Sequence, residues 1–193
     1  TFGVRLERTT RAVIRHNDVG FFESGPELDG CLTDRAPAGI LLLDSNHATV
    51  RGNLSQLTGF GILLVRSHVN QIKANDAAPT WSDGNSCSGI VLVDSDRNTV
   101  VDNVTAMNRN SPVVSGDGIF IDSASRGTVL RHNRSETNTD DGIDVESPAT
   151  KLLDNRADRN DDLGIEAVAG VSGSGNKAKG NGNALQCVNI SCT

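Results

Sequence analysis

Apolar and polar residues alternate in short stretches along most of the chain. After Gly39, Ile40 and Leu42 point to one side, and Leu41 and Leu43 point to the other. Alternation with a period of two, in β-branched and aliphatic residues, predicts a half-buried strand. Equivalent inward pairs follow six other glycines: Val4/Leu6, Ile62/Leu64, Ile90/Leu92, Ile119/Ile121, Ile143/Val145 and Ile165/Ala167.

A second apolar position recurs in each unit, three residues before an asparagine, and a small residue follows two positions beyond that asparagine. Each unit therefore predicts three short strands separated by tight bends, in a repeat of about 22 residues with insertions. The apolar and asparagine pairs are Ile14/Asn17, Val50/Asn53, Ile72/Asn75, Val100/Asn103, Leu130/Asn133 and Leu152/Asn155.

Units of this length bury their apolar residues only when they stack on one another. Stacked coils rise by one strand spacing, about 4.8 Å, so equivalent residues would form columns. The asparagine column would form a ladder of amide hydrogen bonds. The glycines fit a bend that needs a positive φ or a close backbone approach. A serine column is expected at Ser45, Ser67, Ser95, Ser123 and Ser147.

This arrangement resembles the right-handed parallel β-helix family, which includes pectate lyases and polygalacturonases. The resemblance runs from Gly3 to about Asn183. It implies an all-β fold, a single-stranded right-handed parallel β-helix solenoid of about seven coils with three short strands per coil. The expected boundaries are 1–183 for the solenoid and 184–193 for a C-terminal tail. Such a resemblance specifies a fold and not an activity.

A local similarity to polygalacturonases adds a candidate chemistry. Asn138-Thr139-Asp140, followed one coil later by Asp161-Asp162, resembles two catalytic motifs of that family. The cysteine that follows the aspartate pair in the family is Leu163 here, and the family's His-Gly and Arg-x-Lys motifs have no counterpart.

Composition and charge narrow the expected partners. The net charge is -6 and the pI is about 5.1. Lysine and arginine do not cluster along the sequence, so nucleic acid is not an expected partner. No apolar stretch reaches the length of about 18 residues that a membrane span needs. Because a coil pattern is already under way at Gly3, we expect a trimmed piece of a longer precursor.

The four cysteines allow three disulfide pairings. Cys187 and Cys192 could close a small loop, while Cys31 and Cys87 lie in two long insertions that stacking places on the same side. The expected pairing is therefore Cys31–Cys87 and Cys187–Cys192, which favours an oxidising location, extracellular or periplasmic. Four free thiols in a cytosolic protein are the alternative.

The outward side of the glycine strands carries aliphatic residues in the middle coils. An exposed patch of this size is unusual for a monomer, so something is expected to cover it. Our hypothesis is that loops 20–38 and 76–88 do so. There are two alternatives: the patch is buried by a second chain, through oligomerisation, or by a segment that precedes this sequence. The six residues are Leu41, Leu43, Leu63, Val65, Val91 and Val93.

Toward the C-terminus the same outward positions become acidic, and stacking is expected to place Asp117 beside Asp141, Asp140 beside Asp162, and Asp144 beside Glu166. Such groups raise each other's pKa or recruit a cation. A glycosidase would use a carboxylate pair, with Asp141, Asp144, Asp161 and Asp162 as catalytic candidates. Binding candidates are Asp117, Asp140, Glu166 and Trp81. Ca²⁺, the one cofactor considered, would bind at Asp140, Asp162, Asp144 and Glu166.

Three functions remain open at this point. The favoured one is a secreted, non-catalytic β-helix repeat protein that presents an elongated surface to a polysaccharide or a protein. The second is a polysaccharide hydrolase or lyase that uses the C-terminal carboxylates. The third is an assembly module that packs through its aliphatic face. Solvated bend residues are the plain alternative explanation for the acidic group, because Asp and Asn suit bends.

Overall fold

Three parallel sheets run along the chain, and each coil contributes one short strand to each sheet. The computed structural model describes residues 2–20, 37–77, 85, 87–109 and 115–193. These residues form sheets of eight, seven and seven strands and contain no α-helix. The predicted all-β parallel solenoid with three short strands per coil is confirmed.

Sheet 1 contains the strands that include or follow the repeated glycines, together with one short C-terminal strand. Its members are β1 (Phe2–Glu7), β4 (Ala38–Leu43), β7 (Phe60–Val65), β10 (Ile90–Val93), β13 (Ile119–Ile121), β16 (Ile143–Val145), β19 (Ile165–Ala167) and β22 (Cys187–Val188). Sheet 2 contains β2 (Val13–Arg15), β5 (Thr49–Arg51), β8 (Gln71–Lys73), β11 (Thr99–Val101), β14 (Val129–Arg131), β17 (Lys151–Leu153) and β20 (Ser172–Ser174). Sheet 3 contains β3 (Asp18–Gly20), β6 (Leu54–Gln56), β9 (Asp76–Ala77), β12 (Val104–Ala106), β15 (Arg134–Glu136), β18 (Arg156–Asp158) and β21 (Lys177–Lys179).

The strand register stacks like residues and so builds a narrow core. Ile40 pairs with Ile62, and Ile62 pairs with Ile90, so the inward positions of sheet 1 form columns. These columns, with Val50, Ile72 and their equivalents on sheet 2, make one continuous buried cluster. Burial of this stripe of aliphatic side chains, at about 25 cal/mol per Å² of apolar surface, is the main stabilising term of the fold.

Two asparagine ladders line the bends. In the predicted ladder each amide donates to the next asparagine at 2.9–3.1 Å, through Asn17, Asn53, Asn75, Asn103, Asn133, Asn155 and Asn176. A second ladder was not predicted from the sequence. It runs through Asn85, Asn108, Asn138, Asn160 and Asn181.

The serine column needs one correction. The Ser95 amide donates to the hydroxyl of Ser125 at 2.9 Å, and Ser125 is fully buried. Ser123, the residue expected in the column, is exposed. One extra residue after β13 shifts the register, because Leu92 pairs with Ile121, 29 positions on, whereas Ser95 bonds Ser125, 30 positions on. The Ser125 hydroxyl donates to the Asp122 carboxylate at 2.6 Å within this longer bend.

The glycine column is explained by close approach. None of the glycines before the sheet 1 strands has a positive φ. A Cβ at Gly39 would collide with the Ser55 hydroxyl, and one at Gly118 would collide with Ser135. Positive φ values occur instead at bend residues that are not glycine, such as Asp44, at 49°. The column therefore requires glycine for space.

The aliphatic outward face of sheet 1 is buried within the single chain. Leu41 is fully buried, and of the six residues only Val93 is partly exposed. Phe60, Ala38 and Cys87 pack against this face to form a second apolar cluster. Most of loops 20–38 and 76–88 lies outside the described residues, so the hypothesis that they form the cover stays a prediction.

The C-terminal segment closes the last coil. Strand β22 extends sheet 1, and the Cys187–Cys192 disulfide forms as predicted. Cys87 is also disulfide-bonded, while Cys31, its expected partner, lies outside the described residues. Gln186 accepts the last ladder bonds, from the backbone N–H and side-chain amide of Asn181, both at 3.0 Å. No described segment forms a helix long and apolar enough to cross a membrane.

Candidate functional site

The outer face of sheet 1 changes chemistry along the solenoid axis. Strand pairing places Leu41, Leu63, Val91, Phe120, Asp144 and Glu166 in one row. The first three are buried, Phe120 and Asp144 are half-buried, and Glu166 is exposed. The register sets this order, because each coil adds one residue to the row. The aliphatic part therefore leads directly into a carboxylate pair.

Three more carboxylates lie beside this pair, at the bends that precede β13 and β16. Asp117, Asp140 and Asp141 bring carboxylate oxygens within 4.8 Å of one another. Together with Asp144 and Glu166 they are called the acid cluster below. Asp117 is 1 % exposed, so part of this charge lies under the surface.

Hydrogen bonds fix the buried members of the acid cluster. The Ser115 hydroxyl donates to Asp117 Oδ2 at 2.8 Å, and the Asp141 backbone N–H donates to Asp117 Oδ1 at 3.2 Å. Asp141 Oδ1 accepts the backbone N–H of Leu163 at 2.7 Å. Each of these carboxylates therefore binds the backbone of the next coil, which confirms that Asp117 and Asp141 are neighbours.

Burial and mutual repulsion raise the pKa values in the acid cluster. Burial raises the pKa of Asp144 to about 8, and the charges of Asp117 and Glu166 add to the effect. Burial also raises the pKa of Asp117 to about 6, against the opposing bond from Ser115. The pKa of Asp141 is raised by burial and by the neighbouring Glu166 carboxyl, which shares a hydrogen bond with it. At neutral pH the acid cluster therefore holds protons as well as negative charge.

Of the remaining predicted site residues, Asp162 lies beside the acid cluster, and its charge adds to burial in raising the pKa of Asp140. Asp161 and Asp162 are exposed on the bend before β19. Asp162 stacks beside Asp140, its N–H donating to the Asp140 carbonyl at 3.3 Å, and its carboxylate accepts from the Asn183 amide at 2.9 Å. Asp161 contributes no carboxylate to the acid cluster. Trp81 lies outside the described residues.

Two features were missed from the sequence. Phe120 joins the row beside Asp144, which column alignment with Val91 could have indicated. Lysine and arginine also do cluster in space, because pairing stacks Arg15, Arg51 and Lys73 on sheet 2. Their separation along the chain conceals the cluster, although each follows the inward apolar residue of its unit.

The acid cluster offers only carboxylate oxygens as ligands for a cation. Among the described residues, Asp117, Asp140 and Asp141 form the single group of three or more potential ligands. Carboxylate oxygens suit a hard ion such as Ca²⁺. Of the residues predicted for Ca²⁺, only Asp140 is in this triplet, and its partners are Asp117 and Asp141.

Solved structures with the same fold define the class of protein. A crystal structure of the periplasmic alginate epimerase AlgG matches 99 % of this chain, with a TM-score of 0.71 and 19 % identity. Another AlgG structure matches 75 % of the chain, with a TM-score of 0.59 and 24 % identity. Pectate lyase Pel9A matches 76 %, with a TM-score of 0.55 and 17 % identity. The chain is thus a right-handed parallel β-helix protein, as the resemblance implied.

These likenesses extend to the fold and no further. The chain spans 47 %, 32 % and 43 % of the three matched proteins, respectively, which is less than half of each. No curated protein matches its sequence. A fold shared at this level of identity does not transfer an activity.

A family model matches residues 2–186, and its description is periplasmic copper-binding protein (NosD). The chain belongs to the NosD family. The family and AlgG are both described as periplasmic, which supports the extracytoplasmic location that the cysteines predict.

The donor atoms of the described residues do not form a copper site. Copper favours imidazole and sulfur ligands. All four histidines are described, and no metal-ligand group of three includes one. His68 Nδ1 already accepts the Asp96 N–H at 2.9 Å, and His132 lies between Asp102 and Asp154. The described cysteines are disulfide-bonded. Copper binding is therefore a description of the family and not of this site.

Proposed function

We propose that this chain is a non-catalytic extracytoplasmic module that binds a neutral carbohydrate on the outer face of sheet 1. One observation carries the proposal: the buried aliphatic row ends in Phe120, Asp144 and Glu166, with three further carboxylates beside them. Export to the periplasm is the finer location we propose, on the basis of the family description.

Sugar recognition needs an apolar platform and polar groups that converge on it. Phe120 supplies a half-buried aromatic ring directly beside Asp144. Ionised carboxylates accept hydrogen bonds from sugar hydroxyls. A protonated carboxyl donates one instead, and the raised pKa of Asp144, about 8, keeps it protonated at neutral pH. The acid cluster therefore offers both partners that a hydroxyl group requires.

The sign of the charge selects the ligand. An acidic polysaccharide would bring further carboxylates toward carboxyl groups whose pKa values are already raised, first by burial and then by the charges of their neighbours. Like-charge contact of this kind opposes binding. Neutral glycans are therefore the expected class for sheet 1.

The test is a panel of neutral oligosaccharides, including β-glucan, mannan and xylan fragments, measured by calorimetric titration. At least one is expected to bind, and the double variant Asp144→Asn with Glu166→Gln is expected to weaken it by at least about tenfold. Asp161→Asn is the matched control, because it removes an exposed aspartate outside the acid cluster. The proposal fails if no neutral glycan binds, or if the double variant binds as the wild type does.

A second candidate is a polysaccharide-cleaving enzyme. The observation that favours it is a carboxyl with a pKa of about 8, Asp144, paired in register with Glu166. A protonated acid beside a second carboxyl group is the arrangement that glycoside hydrolysis requires. Asp144 would protonate the leaving oxygen.

Release of reducing ends from the same panel separates this candidate from simple binding. If the chain is an enzyme, Asp144→Asn lowers the rate by at least about a hundredfold, while Asp161→Asn leaves the rate unchanged. Binding without any release of sugar excludes cleavage of the panel substrates.

A further inference from the structure

The outer face of sheet 2 is positively charged. All seven strands of this sheet are described, and together they contain five lysine or arginine residues and no aspartate or glutamate. In each strand that carries one of these cations the central residue is buried, so the flanking residues point outward. All five cations are exposed. They define what is called the cationic face below: Arg15, Arg51, Lys73, Arg131 and Lys151.

The charge of the cationic face is largely uncompensated. Lys73 lies 3.8 Å from Asp102, a long ion pair on the surface. Within the described ranges, no carboxylate forms an ion pair with the other four cations. The arginines of sheet 3 differ, because Arg134 and Arg156 each pair with an acidic residue two positions further along the same strand. A set of exposed cations without acidic partners is therefore a property of sheet 2.

The negative charge of the chain lies on other parts of the surface. The acid cluster belongs to sheet 1 and the bends before it. Asp102 and Asp154 lie on the bends that follow sheet 2, each 3.6 Å from one ring nitrogen of His132. The Debye length is about 8 Å at physiological ionic strength, so charges on the far side of the solenoid have little influence on a contact at sheet 2. The net charge of -6 therefore conceals one cationic side.

We propose that the cationic face docks the protein on the surface of a lipid bilayer that contains anionic lipids. The strands from β2 to β17 pair in register, so five strand spacings separate Arg15 from Lys151, about 24 Å along the axis. A planar partner meets all five cations at once. Lysine and arginine close to an anionic bilayer each add to its attraction for a protein.

The uneven spacing of the cations favours a fluid surface over a polymer. Arg15, Arg51 and Lys73 form one row in consecutive coils, but the next strand, β11, carries no charge. Arg131 continues the row after this gap, and Lys151 stands in the second outward row. A polymer with a fixed charge repeat cannot match this arrangement. Anionic lipids diffuse laterally, so they can collect beneath each cation wherever it stands.

Apolar side chains among the cations also fit a bilayer surface. Val13, in the same strand as Arg15, is 61 % exposed. Val129 and Leu153 are half-buried beside Arg131 and Lys151. Binding at the bilayer interface combines buried apolar area with attraction to anionic headgroups. Surface docking needs no membrane-spanning segment, and this proposal does not depend on the carbohydrate proposal for sheet 1.

The experiment is co-sedimentation of the protein with vesicles. Vesicles of phosphatidylcholine with roughly 30 % phosphatidylglycerol are compared with vesicles of phosphatidylcholine alone. The protein is expected to bind the anionic vesicles only, and at least about tenfold more weakly as salt rises from about 50 mM to about 300 mM. The double variant Arg51→Gln with Arg131→Gln is expected to lower the partition coefficient by roughly twentyfold.

Two further variants separate charge at this face from other causes. Arg51→Lys with Arg131→Lys keeps the charge and is expected to retain binding within about threefold, because a bilayer attracts either cation. Arg134→Gln with Arg156→Gln, a stacked pair on sheet 3, removes the same charge from another face and is expected to bind as the wild type does. Thermal melting of each variant confirms that it is folded.

Four results would overturn the proposal. They are an absence of binding to anionic vesicles at low salt, equal binding to neutral vesicles, an equal loss in the sheet 3 variant, and binding of soluble polyglutamate as tight as that of vesicles. The last result would assign the cationic face to an acidic protein segment instead of a bilayer.

Discussion

Two stacks of polar side chains run along the same solenoid and behave in opposite ways. In the asparagine ladder each amide is both donor and acceptor, so Asn103 donates to Asn133 and accepts from Asn75, both at 3.0 Å. In the acid cluster each ionised side chain is an acceptor only, and the pKa of Asp144 is raised, chiefly by burial and further by the charges of Asp117 and Glu166. The same strand spacing stabilises one column and strains the other. A column is stabilising when its side chain is complementary to a copy of itself.

The largest expected effect comes from breaking the self-complementary column at its centre. Replacing Asn103 by leucine removes four hydrogen bonds, and with them the side-chain partners of the buried Asn75 backbone N–H and Ile72 carbonyl. Asn133 Oδ1 still accepts the backbone N–H of position 103, and the Asn75 amide still donates to the Val50 carbonyl. The free energy of unfolding is expected to fall by about 3–5 kcal/mol. Urea denaturation followed by circular dichroism measures this change.

Asn17→Leu is the matched control for that change, because Asn17 is exposed at the end of the ladder. Its cost is expected to stay below about 1 kcal/mol. Equal losses at the two positions would show that the ladder does not act through buried hydrogen bonds.

The acid cluster should give the opposite pH dependence from ordinary paired carboxylates. The pKa of Asp144 is about 8 in the folded chain and has a usual value of 3.8. Below the usual value the group is protonated in both states, so its contribution is fully present. As pH rises toward 8, the unfolded chain has lost the proton that the folded chain retains, and stability falls. Melting temperatures recorded between pH 4 and pH 9 are expected to decline across this window.

Asp144→Asn tests the origin of that decline. The amide cannot ionise, so the variant is expected to melt a few degrees above the wild type at pH 8 and close to it at pH 5. Asp18→Asn, an exposed change on sheet 3, serves as the control. A decline of the same slope in Asp144→Asn would place the titrating group elsewhere.

The smallest effect on stability is expected from Glu166→Gln, because this residue is exposed. The free energy of unfolding should change by less than about 0.5 kcal/mol. The pKa of Asp144 should nevertheless fall, since the Glu166 charge helps to raise it, while burial, the larger cause, keeps it above its usual value. Carbon-detected NMR titration of the aspartate carboxyls measures the pKa of Asp144, and urea denaturation measures the free energy of unfolding. An unchanged Asp144 pKa would remove Glu166 from the acid cluster.

The sequence predicts the fold well because the repeat occurs seven times, and each copy has apolar residues at the same inward positions. Isoleucine at positions 40, 62 and 90 is an example. An irregularity confined to one coil is not visible in this repeat, as the one extra residue that places Ser125 instead of Ser123 in the serine column shows. The acid cluster was predicted in outline, since Asp117 beside Asp141 follows from stacking alone. The exclusion of Asp161 was not, because the side on which a bend residue projects depends on the local turn.

Charge clusters across coils were the hardest feature to predict. Arg15 and Arg51 are 36 positions apart, and no window along the sequence contains both with Lys73. Only the strand register reveals them as neighbours. In a solenoid, charge patterns should therefore be assessed down each column before partners are excluded.

The Gln186 side chain and the Cys187–Cys192 disulfide both act on the last described coil of the solenoid. Each coil is held by its neighbours, so a fixed last coil prevents fraying from the C-terminal end. Reduction of the disulfide would leave β22 held to β19, the strand that carries Glu166, by strand pairing alone. Unwinding would then reach the acid cluster after a single coil. An oxidising environment thus keeps the tail closed beside the strand that carries Glu166.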